Sequence, residues 1–277
     1  MDFMSIYKAL QEMYGLELLK NVKFSGNSAG ALFAACCAMG VGWKQAEKVY
    51  LEMADDGIKQ GVFQQMSIYH NHAMDTVINN DMNAYKQLNN KLFVGLATWF
   101  DEYRLISSWD NNQELRDTLH ASMHIPYYCT HIAKIRCNDG VYRRAIDGGA
   151  GKQFHRFGQD TLVITAMSTK GDIISDPSLT FMGDCYQPDL KKYDKMRDNG
   201  YKAMMEWDGK YKWIEYDNYT KSKYRLRKKN RKLNVRNMIV FIFWCLRILE
   251  DIKIKRIMLV ILVIILYRKY GKFVGIC

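Results

Sequence analysis

One serine stands in a sequence pattern that is typical of a catalytic nucleophile. Gly26-Asn27-Ser28-Ala29-Gly30 fits the pattern Gly-x-Ser-x-Gly, with an apolar stretch before it and small residues after it. A strand, a sharp turn and a helix in this order form a nucleophile elbow, which exposes the serine hydroxyl at its apex. We expect glycine at positions 26 and 30 because side chains there would collide where the strand meets the helix. The first amides and the dipole of the helix would favour negative charge beside Ser28; the alternative is a tight turn whose serine caps the helix.

The serine hydroxyl needs a base to remove its proton. Asp147-Gly148-Gly149 follows a predicted strand, and the two glycines allow a sharp turn, so the Asp147 carboxylate could face Ser28 across a cleft. A Ser-His-Asp triad has less support, because His155 is the only histidine after Asp147 and lies close to it in sequence. The alternative for Asp147-Gly148-Gly149 is an ordinary loop turn.

The histidines offer weaker signals. His120 and His124 are four residues apart and share one face of a predicted helix, a spacing that could suit a metal ion. No cysteine or carboxylate partner lies at a telling spacing from them. His70 and His72 lie in a polar helix, where we expect both to be exposed to solvent. The sequence therefore predicts no metal site.

The elements that must position these residues alternate between helices and buried strands, which is typical of an α/β sandwich. The apolar run Lys91–Ala97 predicts a strand that is buried on both faces, as in a mainly parallel sheet. Asn138-Asp139-Gly140 predicts a hairpin turn between two further strands, the second of which ends at Asp147. Helices are predicted over residues 6–14, 29–39, 43–54, 66–88, 112–123 and 189–207.

Composition limits the remaining possibilities. The chain of 277 residues is long enough for one large α/β domain and an appendage, and its three prolines argue against a fibrous or disordered protein. Its seven cysteines are irregularly spaced, which indicates a reducing compartment rather than a disulfide framework. The N-terminal residues do not have the pattern of a signal peptide, so we expect an intracellular protein that is not secreted.

Several segments occur together in the order found in one known family. They are Ser25–Leu32, Leu92–Gly95, Ser107–Trp109, Glu114–Leu115, Ala121–Pro126 and Asp147–Gly149. In these segments the chain resembles the patatin-like phospholipase family, and in particular the branch that contains adipose triglyceride lipase. The resemblance spans roughly residues 6–166. It implies a three-layer α/β/α sandwich with a mainly parallel central sheet, to which this chain adds a basic and apolar C-terminal tail.

The resemblance also implies a chemistry. Ser28 would be the nucleophile and Asp147 the base of a Ser-Asp dyad that hydrolyses fatty acyl esters of glycerolipids through an acyl-enzyme, without a metal or another cofactor. The residues that would shape the elbow and the supporting turns are Gly26, Asn27, Ala29, Gly30, Gly148 and Gly149. The same dyad could transfer the acyl group to another lipid if an alcohol outcompetes water.

The chain departs from the family pattern at two places. Family members begin with a strand and a Gly-rich loop whose amides form the oxyanion hole. Residues 1–5 of this chain correspond to the end of that loop or to the residues just beyond it. Ser5 stands where a late glycine of the loop is expected. We therefore expect an N-terminally incomplete acyl hydrolase. The alternative is a non-catalytic relative that binds a lipid surface and has lost its oxyanion loop. Residues 150–153 also lack the asparagine and proline that often follow Asp-Gly-Gly in the family.

The predicted organisation has three parts. Residues 1–207 form the acyl hydrolase domain, residues 208–236 a basic linker, and residues 237–277 an apolar tail that associates with a membrane. The net charge of +11 collects in the last third of the chain.

The tail carries the predicted membrane contact. Its apolar runs, residues 238–246 and 257–267, are each too short to span a bilayer, and the charges between them would be costly inside one. We expect helices that lie in the surface of a membrane or lipid droplet, or that form a shallow re-entrant pair. The basic run at residues 221–232 would attract anionic head groups. Nucleic acid is a less favoured partner of the basic run because the chain has no recognisable nucleic-acid-binding fold. Two further alternatives are a solvated linker, with the apolar runs buried in the core, and a C-terminal end whose sequence is poorly read.

Overall fold

The computed structural model of the chain describes residues 2–19, 21–78, 81–98, 103–126, 128–130, 134–137, 140–151, 155–158, 161–165, 171–174 and 190–211. The basic run and both apolar runs of the tail, on which the predicted membrane contact depends, lie outside these residues. Among the helices within them, none combines the length and the apolar character that crossing a bilayer requires.

The described elements alternate between helices and short strands. The helices are α1 (Asp2–Leu19), α2 (Ala29–Met39), α3 (Trp43–Gln60), α4 (Met66–Ile78), α5 (Ala84–Leu88), α6 (Asn112–Ser122) and α7 (Leu190–Tyr211). The strands are β1 (Phe24–Asn27), β2 (Leu92–Thr98), β3 (Tyr103–Ile106), β4 (Lys134–Arg136), β5 (Tyr142–Ile146), β6 (Ile164–Thr165) and β7 (Ile173–Ile174).

Strand β2 is the centre of the larger sheet. Strand β1 runs parallel to it, with Asn27 opposite Gly95, and β3 pairs with it antiparallel. Strand β5 also pairs antiparallel with β2, with Ile146 opposite Ala97, and β4 completes the sheet beside β5. A strand has two edges for hydrogen bonding, and β3 pairs with β2 at both Gly95 and Ala97 along one of them. Strand β1 pairs at Gly95 and β5 at Ala97, so both lie along the other edge of β2.

The prediction of an α/β sandwich is confirmed, but the prediction of a mainly parallel sheet is wrong. Among the described strands of the larger sheet, only the β1–β2 pairing is parallel, and the sheet is therefore mixed. The cause lies in the connections. Strand β3 follows β2 after only a few residues, and β4 and β5 form the predicted hairpin; such short links join antiparallel strands, whereas parallel strands need a long crossover.

Helix α2 has apolar residues on all sides, which is typical of a helix buried in the core. Its small residues, among them Ala31, Ala34 and Ala35, are almost fully inaccessible and pack in one core with apolar side chains of β2, such as Leu92 and Val94. Small side chains allow the helix to lie close to the sheet, as the sequence predicts. A second core forms where α1 and α7 pack together.

Four of the predicted helices need correction. Helix α1 begins at Asp2, before the predicted start, and extends to Leu19, with a non-helical backbone at Gly15, where the sequence predicts its end. Helix α3 does not end near Ala54 but continues to Gln60, and it ends at Gly61, whose φ of 79° suits glycine. The stretch predicted as one helix from Met66 to Leu88 contains two helices, α4 and α5. Helix α7 continues through residues 208–211, which the sequence assigned to the linker.

Candidate active site

Ser28 occupies the turn between β1 and α2. Its backbone has φ 56° and ψ −136°, a conformation that residues other than glycine rarely adopt and that is typical of a strained nucleophile elbow. The Ser28 amide donates a hydrogen bond of 2.9 Å to Ser122 Oγ, and that hydroxyl donates one of 2.6 Å to the Gly95 carbonyl oxygen. Ser122, which is fully buried, therefore ties the elbow to the central strand.

Asp147 lies directly beside the serine. Ser28 Oγ donates a short hydrogen bond to Asp147 Oδ2, and the other carboxylate oxygen accepts one of 2.7 Å from the Gly149 amide. The Asp147 amide donates to the His124 carbonyl oxygen at 3.0 Å. Hydrogen bonds thus fix both carboxylate oxygens and the backbone of Asp147. One of the two oxygens, Oδ2, is directed at the serine hydroxyl.

The two residues meet because of how their strands end. Strand β1 stops opposite Gly95 and β5 stops opposite Ala97, on the same edge of β2 and running toward each other. Ser28 and Asp147 are the next residue of each strand, so both reach the position beside Leu96. The structure brings these two predicted site residues together although 119 positions separate them in the chain.

The glycines around the dyad differ in what they require. A Cβ atom at Gly26 would lie 2.1 Å from the Gly30 carbonyl oxygen, as the elbow predicts, and one at Gly148 would lie 2.2 Å from the Gly95 carbonyl oxygen. A Cβ at Gly149 would lie 2.9 Å from Asp147 Oδ1. The same expectation is wrong for Gly30, because no heavy atom of the described residues lies within 4 Å of a Cβ built there. Gly30 already lies in the first turn of α2, so a Cβ atom added there would point away from the strand.

Gly26 and Gly30 therefore form a matched pair for mutagenesis. We expect Gly26→Ala to destabilise the fold by about 3 kcal/mol or more, because the collision is with backbone atoms that cannot move aside. We expect Gly30→Ala to leave the melting temperature unchanged or to raise it, since alanine favours a helix by about 1 kcal/mol over glycine. Thermal unfolding followed by circular dichroism measures both. Equal destabilisation by the two substitutions would contradict the elbow geometry.

Comparison with known proteins decides the family. The model for the family described as "Patatin-like phospholipase" matches residues 6–154, which is more than half of the chain. The chain belongs to the patatin-like phospholipase family. Ser28 and Asp147 both lie inside the matched region, together with every strand from β1 to β5.

Curated relatives of this patatin-like protein include the omega-hydroxyceramide transacylases of Homo sapiens and Mus musculus. The human protein is 29% identical over 191 residues, which cover 62% of this chain and 33% of the relative. The mouse protein is 28% identical over 191 residues, which cover 62% of this chain and 30% of the relative. The alignment thus spans about a third of the length of each relative.

Burial sets the charge state of Asp147 in this patatin-like protein. Removal from water raises the pKa of Asp147 to about 6, and the hydrogen bonds from Ser28 and Gly149 partly oppose this rise because they stabilise the carboxylate. The carboxylate is therefore ionised at neutral pH, yet it is more basic than an exposed aspartate. That combination suits a general base.

Asn27 and Ala29 flank the serine. The Tyr103 hydroxyl donates a hydrogen bond of 2.9 Å to Asn27 Oδ1, which fixes the residue before Ser28 against β3. Ala29 is exposed and begins α2, so its amide belongs to the first turn, where amides have no partner within the helix. In nucleophile elbows the amide after the serine is a donor to the oxyanion, and Ala29 occupies that position.

The histidines divide into three situations. The His155 ring stacks on Phe93 with centroids 6.0 Å apart, and the serine hydroxyl donates to Asp147, so the structure gives no support to a triad through His155. His72 is exposed, as predicted. The same prediction is wrong for His70, which is only 4% exposed because it faces α6 rather than solvent.

Burial lowers the pKa of His70 to about 3 and that of His124 to about 4, and repulsion from a charged His120 adds to both effects. The two imidazoles are therefore neutral at physiological pH. Among the described residues, ligand atoms of His70, His120 and Cys129 approach within 4.8 Å of one another. Sequence spacing did not reveal this group because its members come from three separate segments.

Proposed function

We propose that Ser28 and Asp147 form a catalytic dyad with which this protein cleaves fatty acyl esters of glycerolipids. Patatin-like phospholipases are lipid acyl hydrolases or acyltransferases, and the chain shares their domain. The observation that supports the dyad is the hydrogen bond from Ser28 Oγ to a carboxylate whose other oxygen is occupied by the Gly149 amide. That arrangement leaves Asp147 Oδ2 available to take the serine proton.

The reaction follows from the positions of these groups. Ser28 Oγ attacks the ester carbonyl carbon while Asp147 Oδ2 accepts its proton, which gives a tetrahedral oxyanion. The Ala29 amide and the N-terminus of α2 lie beside this oxyanion and stabilise it. The carbon–oxygen bond to the glycerol then breaks, and the leaving oxygen takes the proton from Asp147. A water molecule, deprotonated in turn by Asp147, then attacks the acyl carbon. The bond to Ser28 Oγ breaks, Oγ takes the proton back from Asp147, and the fatty acid is released.

Acyl transfer is the second candidate function. It differs only in the last step, where an alcohol attacks the acyl-enzyme instead of water. The names of the human and mouse relatives, which are transacylases, favour it. Both versions of the proposal place the reaction at a membrane or lipid-droplet surface, since long-chain acyl lipids reside there; the predicted attachment segment is the C-terminal tail.

Covalent labelling tests the proposed nucleophile. The full-length chain is treated with a fluorophosphonate probe, digested and analysed by mass spectrometry. We expect one probe per chain, attached to the peptide that contains Ser28, and no labelling after heat denaturation. Absence of labelling in folded protein would favour the non-catalytic alternative, and labelling at another serine would refute the assignment of Ser28.

Partition of the acyl group distinguishes hydrolysis from transfer. The full-length chain is incubated with vesicles that contain a radiolabelled phospholipid or triacylglycerol and a long-chain alcohol. A hydrolase gives labelled free fatty acid at a rate that the alcohol does not change. A transferase gives labelled ester of the alcohol at the expense of free fatty acid.

The pH dependence of turnover reports on the base. Because Asp147 must be ionised to accept the proton and its pKa is raised to about 6, we expect kcat/KM to fall below about pH 6, tenfold for each further pH unit. An ordinary exposed aspartate would place this loss near pH 4. Initial rates with a soluble short-chain ester over about pH 4.5 to 8.5 measure the profile. Full activity at about pH 5 would contradict the raised pKa.

A further inference from the structure

Three potential metal ligands come together near the segment that supports Asp147. His70 lies on α4, His120 in the last turn of α6, and Cys129 in the turn that follows Ile125. Their ligand atoms lie within 4.8 Å of one another, and the two histidine rings are 5.5 Å apart between centroids. We refer to these three residues as the histidine–cysteine cluster.

Burial and unpaired nitrogen atoms distinguish this cluster from a chance grouping. His70 is 4% exposed and Cys129 is 6% exposed. Among the described residues, His70 Nδ1 has no hydrogen-bond partner, and neither nitrogen of His124, a 1% exposed neighbour of His120, has one. A buried nitrogen without a partner is unfavourable, and proteins usually satisfy it with a bond, a water molecule or an ion.

We propose that the histidine–cysteine cluster binds a zinc ion through His70, His120 and Cys129. Two imidazoles and a thiolate are the ligand types that Zn²⁺ prefers, whereas calcium and magnesium take oxygen ligands. Tetrahedral coordination leaves a fourth position, which a water molecule can take. This proposal does not depend on whether Ser28 and Asp147 are catalytic.

Binding has a defined proton balance. The Cys129 thiol loses its proton to solvent as the zinc–sulfur bond forms, and no electron is transferred because zinc has no redox chemistry in proteins. Burial raises the pKa of this thiol, so without an ion it carries its proton. His70 binds as a neutral imidazole and releases nothing, and any proton on the nitrogen of His120 that binds the ion goes to solvent.

The ion would join three segments that already touch. The Met66 amide at the start of α4 donates to the Tyr128 carbonyl oxygen at 3.2 Å, and the Thr130 amide donates to Ser67 Oγ at 3.3 Å. The same stretch of chain carries His124, whose carbonyl oxygen accepts the Asp147 amide. A zinc ion in the cluster would therefore hold the backbone that supports Asp147.

Cobalt is a spectroscopic probe for this site. The reduced, metal-free full-length chain is titrated with Co²⁺ in the presence of a non-thiol reductant. We expect one Co²⁺ per chain, with a thiolate-to-metal charge-transfer band and the visible bands of tetrahedral Co²⁺, both abolished by one equivalent of Zn²⁺. Absence of the charge-transfer band in folded protein would overturn the proposal.

Matched substitutions identify the ligands. We expect Cys129→Ser to abolish the charge-transfer band and His70→Asn to weaken Co²⁺ binding by about 100-fold or more. Two controls should bind as the parent chain does: His72→Asn, an exposed histidine on the same helix, and Cys137→Ser, a buried cysteine outside the cluster. A band that persists in Cys129→Ser, or that disappears in Cys137→Ser, would overturn the assignment.

A measurement on the unsubstituted chain covers the case in which a variant fails to fold. Alkylation of each cysteine by iodoacetamide is followed by mass spectrometry with and without Zn²⁺. We expect Zn²⁺ to slow the modification of Cys129 at least tenfold and to leave that of Cys137 unchanged. Equal rates at Cys129 with and without Zn²⁺ would overturn the proposal.

Discussion

Replacing Ser28 with alanine is expected to abolish ester hydrolysis and fluorophosphonate labelling. Losing the nucleophile removes the acyl-enzyme route altogether, and in serine hydrolases such a loss is on the order of 10⁶-fold in kcat. The fold should survive, because alanine is no more strained than serine at φ 56° and only one side-chain hydrogen bond disappears. Turnover of a short-chain ester and the melting temperature, measured on the same preparation, check both parts.

Ser25 provides the matched control for this substitution. It lies on β1 three residues before Ser28, opposite Phe93, and it takes no part in the proposed reaction. We expect Ser25→Ala to keep the turnover and the labelling of the parent chain. If Ser28→Ala is folded and still hydrolyses the ester at an appreciable fraction of the parent rate, Ser28 is not the nucleophile.

Replacing Asp147 with asparagine is expected to separate activity from stability. Asparagine has nearly the shape of aspartate. Its one carbonyl oxygen can accept the hydrogen bond from the Gly149 amide while its NH2 group donates to Ser28 Oγ, but it cannot take up the serine proton. We expect kcat to fall by about 10³-fold, the scale of general-base catalysis. The protein should at the same time become more stable at pH 8, because the substitution removes a buried charge.

The sign of the stability change follows from the pKa of Asp147. Its folded value of about 6 exceeds the reference value of 3.8, so the folded state holds the proton more tightly than the unfolded state does. Ionising Asp147 therefore destabilises the fold. The penalty is absent below about pH 4, grows between about pH 4 and pH 6, and reaches about 2–3 kcal/mol above that range.

Thermal unfolding at pH 8 and pH 4 measures this effect. We expect Asp147→Asn to raise the melting temperature by roughly 5 °C at pH 8 and to leave it nearly unchanged at pH 4. Asp56→Asn, an exposed aspartate on α3, is the control and should change neither the activity nor the pH dependence. A variant that keeps full activity would remove Asp147 from the mechanism.

The sequence predicted which two residues meet at the candidate site better than it predicted their surroundings. Ser28 and Asp147 stand in local patterns, a glycine-flanked serine and an Asp-Gly-Gly turn after a strand, and local patterns can be read without a fold. Ser122 could not be recognised in this way. It supports Ser28 through a hydrogen bond that joins the end of α6 to the elbow, and the spacing of residues in α6 gives no indication of such a contact.

Burial of polar residues was the least predictable property. The polar composition around His70 predicts an exposed helix, but α4 packs against α2, α3 and α6, and His70 faces His120. The mixed sheet has a similar origin. An apolar strand such as β2 is buried on both faces in either kind of sheet, so its composition indicates burial and leaves the direction of its neighbours open.

Strands β1 and β5 converge on one edge of β2, so the register of their pairing with β2 sets the distance between Ser28 and Asp147. Each strand residue advances the chain by about 3.3 Å, so a slip of one position in either pairing would separate the hydroxyl from the carboxylate by more than a hydrogen bond can span. An insertion in a loop between these strands leaves the spacing unchanged as long as both pairings keep their register. The relative positions of Ser28 and Asp147 are therefore encoded in backbone hydrogen bonds of the sheet, which lets the surrounding loops diverge while the two side chains stay together.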